Sequence, residues 1–435
     1  ADGAISASAS GEIIVQGGTV TGITDPAGAV SATYGSPTNT SSLESSPKAI
    51  VYDSANNRFV MAYRDGDNSD YGSVVVGELS GTTITWGTTP VVFNSAATGQ
   101  NGLAVAFDSN LNRVVVAYQN QGTTEGCAKV GTVSGSGTGS TITFGAEATF
   151  LAYNSSYIGM AFDSNDNRIV IAFSDTTGAT GGYTYRVDYV IGTVSTGPDA
   201  ISFNTPAAIN GSSGTYEPVG VCFDTSQNKI LIAYTNTSYD LIVVNLAVSS
   251  GSGTPGTAST YGAGGLLQRY PFVVYDSGNS KCGVGFGEDT AYNVQFSVID
   301  MSGANVTINT PISLGVTTSG DAYAAWAAYD PDNGQIAIAF SDASDKGAVA
   351  YGVISGTTSS WVTGGFFADV TLDISYASGA VAVAYDTSAD KFGFVYSEAS
   401  ASNSESVVGT LAPTLFTIGS KYYIQNDGTI TTVSS

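Results

Sequence analysis

From about residue 45 onward the chain alternates short apolar runs with polar, turn-rich segments, and the same order of runs keeps returning. The stretch "YDSANNRFVMAY" (52–63) shows the unit: an aromatic ends one apolar run, a cluster of Asp, Ser and Asn follows, and a second apolar run closes on another aromatic. Related segments are "FDSNLNRVVVAY" (107), "FDSNDNRIVIAF" (162), "FDTSQNKILIAY" (223), "YDSGNSKCGVGF" (275), "YDPDNGQIAIAF" (329) and "YDTSADKFGFVY" (385). Their aspartates, Asp53, Asp108, Asp163, Asp224, Asp276, Asp330 and Asp386, are spaced by about 52 to 61 residues, a period that means one supersecondary unit repeated as a stack or a ring.

Each unit reads as four strands. An apolar run ending in Tyr or Phe before the Asp ("LAVAFD", "AVAVAYD") is a first strand whose small residues suit a crowded position. The Asp-to-Asn segment is a tight turn, because short polar side chains bond their own backbone and Asn tolerates positive φ. A second strand ("RVVVAY"), a variable polar loop, a third strand ("AKVGTV", "DYVIGTV") and a fourth with an aromatic before Gly or Asn ("TITWGTTP", "AISFNTPA") complete the unit. Four antiparallel strands repeated radially are the blades of a β-propeller. The sequence therefore predicts an all-β chain: a seven-bladed β-propeller of four-stranded antiparallel blades.

The seventh unit lacks its fourth strand, and "SATYGSPTN" (31–39) matches "TITWGTTPV" in aromatic, Gly and Pro positions. An N-terminal strand closing the last blade would remove an exposed sheet edge and fasten the ring. Outside the ring, "EIIVQGGTVTGI" (12–23) and "KYYIQNDGTITTV" (421–433) both read as hairpins with Gly-containing turns. The expected organisation is an N-terminal hairpin in 1–28, a propeller in 29–411 and a C-terminal hairpin in 412–435. The two hairpins form a small terminal β-hairpin module that serves as an attachment point, against the plainer reading of trimmed ends.

Composition narrows the function. With 13 basic against 36 acidic residues and a net charge of -23, no basic patch can be assembled, which argues against a nucleic-acid partner. No histidine is present, which removes Ser-His-Asp and Cys-His nucleophile pairs and the commonest metal ligand. The three cysteines, Cys127, Cys222 and Cys282, are far apart and lack paired spacing, so they read as small buried apolar residues rather than a disulfide framework or a zinc site. No apolar run approaches the roughly 20 residues of a membrane span, so no membrane insertion is expected. No signal-peptide pattern is present, and a chain opening on "ADG" fits either signal cleavage or removal of an initiator Met.

The repeated Asp, Asn and Arg or Lys belong to turn chemistry, so Asp53, Asp108 and Asp163 with Arg58, Arg113 and Arg168 are assigned to structure. Variable loops between strands and between blades carry binding in such scaffolds. Five tyrosines stand in the inter-blade loops just before the innermost strand: Tyr157, Tyr216, Tyr270, Tyr323 and Tyr376. Aromatic faces beside Asp and Asn suit sugars; the competing reading is that these rings plug the channel or pack between blades. Asp65, Asp67 and Asp70 in "RDGDNSD" place alternate oxygen donors like part of a calcium loop, although the later bidentate Glu is missing and a solvated turn also fits. Calcium is the one cofactor considered. Glycoside cleavage needs only two carboxylates, and among 36 acidic residues some pair always qualifies. Setting aside the turn arginines leaves Arg64, Arg186 and Arg269, few for the arginine cluster of a sialidase-type propeller, and the expectation is that the protein is not an enzyme.

The repeat style of "NSDYGSVVVGELSGTTITWGTTPVVFNSA" and the tail "IGSKYYIQNDGTITT" resemble virion structural proteins of tailed phages, particularly of marine bacteria, over nearly the whole chain. The repeat-consensus residues that carry this resemblance identify no active site. It implies a surface-exposed fibre or decoration protein on the virion. The terminal hairpins would then bind other virion proteins, and the propeller would contact a host surface glycan or envelope protein. Tails of this type usually continue with further strands where this chain stops at "TTVSS". The alternatives are a secreted or cell-surface bacterial sugar-binding adhesin and, further off, a glycan-cleaving propeller enzyme.

Overall fold

The computed structural model describes residues 12–13, 31–40, 45–175, 186–213, 219–262, 267–288, 292–318, 326–372, 381–399, 403–412, 422–424 and 430–432. Within them the second strand of each repeat is apolar almost throughout and buried on both faces; Arg58–Asp65 is buried at every position after the first. A strand that is half-exposed alternates apolar and polar residues, so a continuous apolar run marks a sheet covered on both sides. The cover comes from neighbouring repeats. Seven core clusters are found among the described residues, one at each interface between consecutive repeats, and the cluster containing Ile50, Phe59, Ala382 and Val395 joins the last repeat to the first. The core is thus distributed around a ring.

The innermost strands are Ser45–Asp53, the second half of Val91–Asp108, Ser155–Asp163, Gly220–Asp224, Gln268–Asp276, Trp326–Asp330 and Val381–Asp386, which open blades 1 to 7. Each packs against its successor, and Val381–Asp386 returns to Ser45–Asp53. Every blade runs antiparallel from this strand outward. Blades 1 and 2 are continuous: Val91 and Val92 pair with Val74 and Ser73 of blade 1, and the same strand continues to pair Leu103 through Asp108 with blade 2. No loop intervenes there, whereas the sequence suggested separate strands.

Closure follows the expected route. Ser31–Tyr34 pairs antiparallel with the third strand of blade 7, Ser31 opposite Ala412 and Tyr34 opposite Gly409. The register is the one used elsewhere: Trp86 faces Gly77, Phe144 faces Gly131, Phe203 faces Gly192 and Trp361 faces Gly352. The glycine is required because the ring lies on it. A Cβ at Gly352 would stand 2.3 Å from Trp361 Cε3, and one at Gly77 2.7 Å from Trp86 Cε3. Outside the ring, Tyr422–Ile424 pairs with Ile430–Thr432 and Glu12–Ile13 pairs with Tyr422 and Tyr423, so both chain ends enter one three-stranded sheet. The return strand expected within 12–23 lies outside the described residues.

Candidate functional site

The two faces of the ring are built differently. On one, each innermost strand turns into the second through the repeated Asp. All seven aspartates are buried, none more than 2 % exposed. Asp53 Oδ1 accepts from the backbone N–H of Ala55 and Asn56 at 3.0 and 3.1 Å, and Asp108, Asp163, Asp224, Asp330 and Asp386 each hold two backbone N–H groups in the same way. The turn ends on a left-handed residue in every blade: Asn57, Asn112, Asn167, Asn228, Ser280, Gly334 and Asp390. Buried carboxylates that hold the N–H groups of their own turn have structural work to do.

These turns also bolt the blades together. The Tyr52 hydroxyl meets Ser388 Oγ of blade 7 at 2.8 Å, Tyr385 donates to Asp332 of blade 6 at 3.1 Å, Tyr329 accepts from the Gly278 N–H of blade 5 at 3.0 Å, and Tyr275 meets Thr225 of blade 4 at 2.9 Å. In the other direction, Arg58 donates to Gly135 O of blade 2, and Arg113 pairs with Asp199 of blade 3 at 2.7 Å. Thr132 and Arg113 hold the Asp199 carboxyl below its ordinary range against the upward push of its partial burial.

The opposite face carries the loops. Tyr157 and Tyr270 occupy corresponding bulges near the start of the innermost strands of blades 3 and 5, each six residues before the turn Asp, where the ladder slips between Ser156 and Gly159 and between Arg269 and Phe272. Both have left-handed backbones, with φ of 52° and 51°. Tyr239 (φ 59°) and Tyr292 (φ 50°) stand in the loops between second and third strands of blades 4 and 5. A bulky side chain at positive φ is a steric outlier, and such strain gathers where a ring must be held at a set position.

Their surroundings differ. Tyr157 is half-buried and packs against the cluster between blades 3 and 4, as the competing packing reading describes. Tyr270 joins a polar stack: the Arg269 guanidinium carbon lies 4.6 Å from the Tyr239 ring centroid and 5.9 Å from that of Tyr270. Within about 6 Å a guanidinium is attracted to the ring face. The Gln268 N–H donates to Tyr239 O at 2.9 Å, pinning the blade 4 loop to the first strand of blade 5. The loop itself is preorganised, since Asn236 Oδ1 accepts from the N–H groups of Ser238 and Asp240 at 2.8 and 2.9 Å. Tyr292 is exposed on the neighbouring loop. Tyr216, Tyr323 and Tyr376 lie outside the described residues.

The three calcium candidates, Asp65, Asp67 and Asp70, stand in different surroundings. Asp65 is buried and accepts from Ser73 Oγ at 3.3 Å, Asp67 is exposed on the short helix Gly66–Asn68, and Asp70 pairs with Arg64 at 2.6 Å. A guanidinium already stands where a cation would be drawn. Among the described residues no group of three His, Cys, Asp or Glu side chains could hold a metal ion. Arg186 is likewise engaged, gripping Asp188 through Nε and Nη2 at 2.6 and 2.8 Å beside buried Asp175. The arginines left after the turns are therefore held on separate blades, Arg64 by blade 1, Arg186 by blade 3 and Arg269 at the boundary of blades 4 and 5.

Sequence reasoning missed Tyr239 and Tyr292. The polar "NTSYD" (236–240) is a turn signal between two apolar runs and could have placed Tyr239 on a loop, but nothing in a tyrosine announces a left-handed backbone.

No family model and no curated protein sequence matches the chain. Solved structures do. A protein from Lactobacillus plantarum matches with a TM-score of 0.51 at 13% identity, over 74% of this chain and 86% of that one. AofleA from Arthrobotrys oligospora matches with a TM-score of 0.47 at 11% identity over 77% and 90%, and the periplasmic gluconolactonase PpgL of Pseudomonas aeruginosa with 0.47 at 10% over 73% and 84%. At such identities the likeness concerns the fold alone, and the chain is a β-propeller protein.

Proposed function

We propose that this chain is a non-catalytic binding protein displayed on the surface of a tailed-phage particle, where the loop face of the propeller contacts glycans of the host envelope. The observation that carries the binding half is the Tyr239, Arg269 and Tyr270 stack. Aromatic faces accept the CH surfaces of a sugar ring, a guanidinium donates to hydroxyls, and a strained, tightly bonded backbone holds them ready at low ordering cost. The bolted turn face supplies the rigidity. The virion half rests on the repeat and tail resemblance, and the meeting of both chain ends in one sheet offers a single place for attachment to other virion proteins.

The test is binding of the purified protein to envelope polysaccharide from candidate host bacteria, with Tyr239→Ala and Tyr270→Ala compared to the parent chain. Each substitution is expected to weaken binding by roughly tenfold, about 1.4 kcal/mol, with the thermal transition little changed. Unaltered binding together with a large loss of stability would make both rings packing residues and refute the site.

A further inference from the structure

The sequence separates Cys222 from Cys282 by a full repeat, yet the ring brings them together. Cys222 lies in the innermost strand of blade 4 and Cys282 in the second strand of blade 5, with their sulfurs 3.6 Å apart. Both are free thiols. Their strands belong to different sheets and share no ladder hydrogen bonds, so only side-chain packing joins them here. Cys282 is fully buried and Cys222 is partly exposed. Two residues beyond Cys222 on the same strand stands Asp224, whose Oδ2 lies 3.9 Å from the Cys282 sulfur. In blades 1, 5 and 6 the corresponding oxygen is occupied by a turn asparagine, Asn56, Asn279 or Asn333. Blade 4 has Gln227 at that position, and there Asp224 Oδ2 faces the thiol instead.

We infer that Cys222 and Cys282 are an oxidisable pair that forms a covalent staple between blades 4 and 5 when the folded protein meets a small-molecule disulfide. The order of events follows from access. The Cys222 thiolate attacks one sulfur of the small disulfide, forming a mixed disulfide and releasing one thiolate. Cys282 then loses its proton toward Asp224 Oδ2, and its sulfur attacks Cys222 Sγ, expelling the second small thiolate. The two cysteines lose two electrons and two protons, and the small disulfide gains both to become two thiols. Burial, with Cys222 and Asp224 beside it, holds the Cys282 thiol well above its ordinary pKa, so the second step is the slow one. Bond formation requires the sulfurs to close to about 2.05 Å, an approach that side-chain rotation and a slight slide between unladdered strands can supply. Cys127 lies in blade 2, buried beside Thr149 Oγ1 at 4.0 Å, and serves as the internal control.

The full-length native protein is incubated with oxidised glutathione, quenched in acid, alkylated after unfolding, digested and weighed. The expected products are a peptide pair linked through Cys222 and Cys282, with Cys127 recovered as alkylated thiol. The oxidised protein should also melt at a higher temperature than the reduced one, and Cys222→Ser and Cys282→Ala should each abolish both the linked pair and the melting shift. Recovery of both cysteines as thiols, arrest at a glutathione adduct on Cys222, or a linked pair that lowers the melting temperature would each overturn the inference.

Discussion

The closing strand offers the sharpest test of how the ring holds, through Tyr34. Its ring is half-buried against the cluster between blades 6 and 7, edge-on to Phe394 at 6.2 Å between centroids, and opposite Gly409. Its hydroxyl donates to Gly364 O at 2.8 Å and lies 3.2 Å from the Tyr351 hydroxyl, so the strand is tied to blade 6 as well as to its own blade. Full truncation of a buried aromatic costs about 3 to 5 kcal/mol, and a half-buried ring about half of that. Loss of the hydroxyl adds about 1 kcal/mol. Tyr34→Ala is therefore expected to destabilise by about 3 kcal/mol and Tyr34→Phe by about 1 kcal/mol. Thr33→Ala, on the exposed side of the same strand, should stay within about 0.5 kcal/mol. Guanidinium unfolding followed by tryptophan fluorescence reads all three. A Tyr34→Ala value indistinguishable from that of Thr33→Ala would refute the strand as the fastener of the ring.

Two further outcomes follow from the turn face and from the buried phenols. Tyr52→Phe and Tyr385→Phe each remove one inter-blade hydroxyl contact and should each cost about 1 kcal/mol in chemical unfolding with no change in binding; a loss of binding instead would move function to the turn face. Burial pushes the Tyr34 phenol from 10.0 up to about 12. The neutral phenol is the form the fold favours, so this contribution is complete below pH 10 and is lost as pH rises through about 12. Unfolding midpoints should fall across that interval, less steeply in Tyr34→Phe, and phenolate absorbance in the parent chain should rise in step with unfolding; an identical slope in the two proteins would contradict the burial argument.

Much of the fold was legible because a propeller writes its architecture locally. The Asp, the short polar residues after it and the final aromatic of each repeat specify a turn and a strand within a dozen residues, and the aromatic, Gly and Pro positions shared with "TITWGTTPV" allowed "SATYGSPTN" to be recognised as the missing partner from the far end of the chain. What escaped depends on the contact between blades. Cys222 and Cys282 are neighbours only because one repeat lies beside the next, and linear spacing held no sign of it. In "RDGDNSD" the donor spacing was legible but the pairing was not: Arg64, at the head of the same segment, takes Asp70. The binding candidates were legible by loop but not by role, since the ring packed against a core cluster at Tyr157 and the ring stacked with Arg269 at Tyr270 occupy corresponding bulges.

The most direct measurement of the proposed role is immunogold electron microscopy of the native source material with an antibody against the propeller. Label at fixed positions on phage particles is the expected result, with head or tail placement separating decoration from receptor contact. Label on bacterial surfaces or filaments, with the particles bare, would contradict it and assign the propeller to a cellular adhesin.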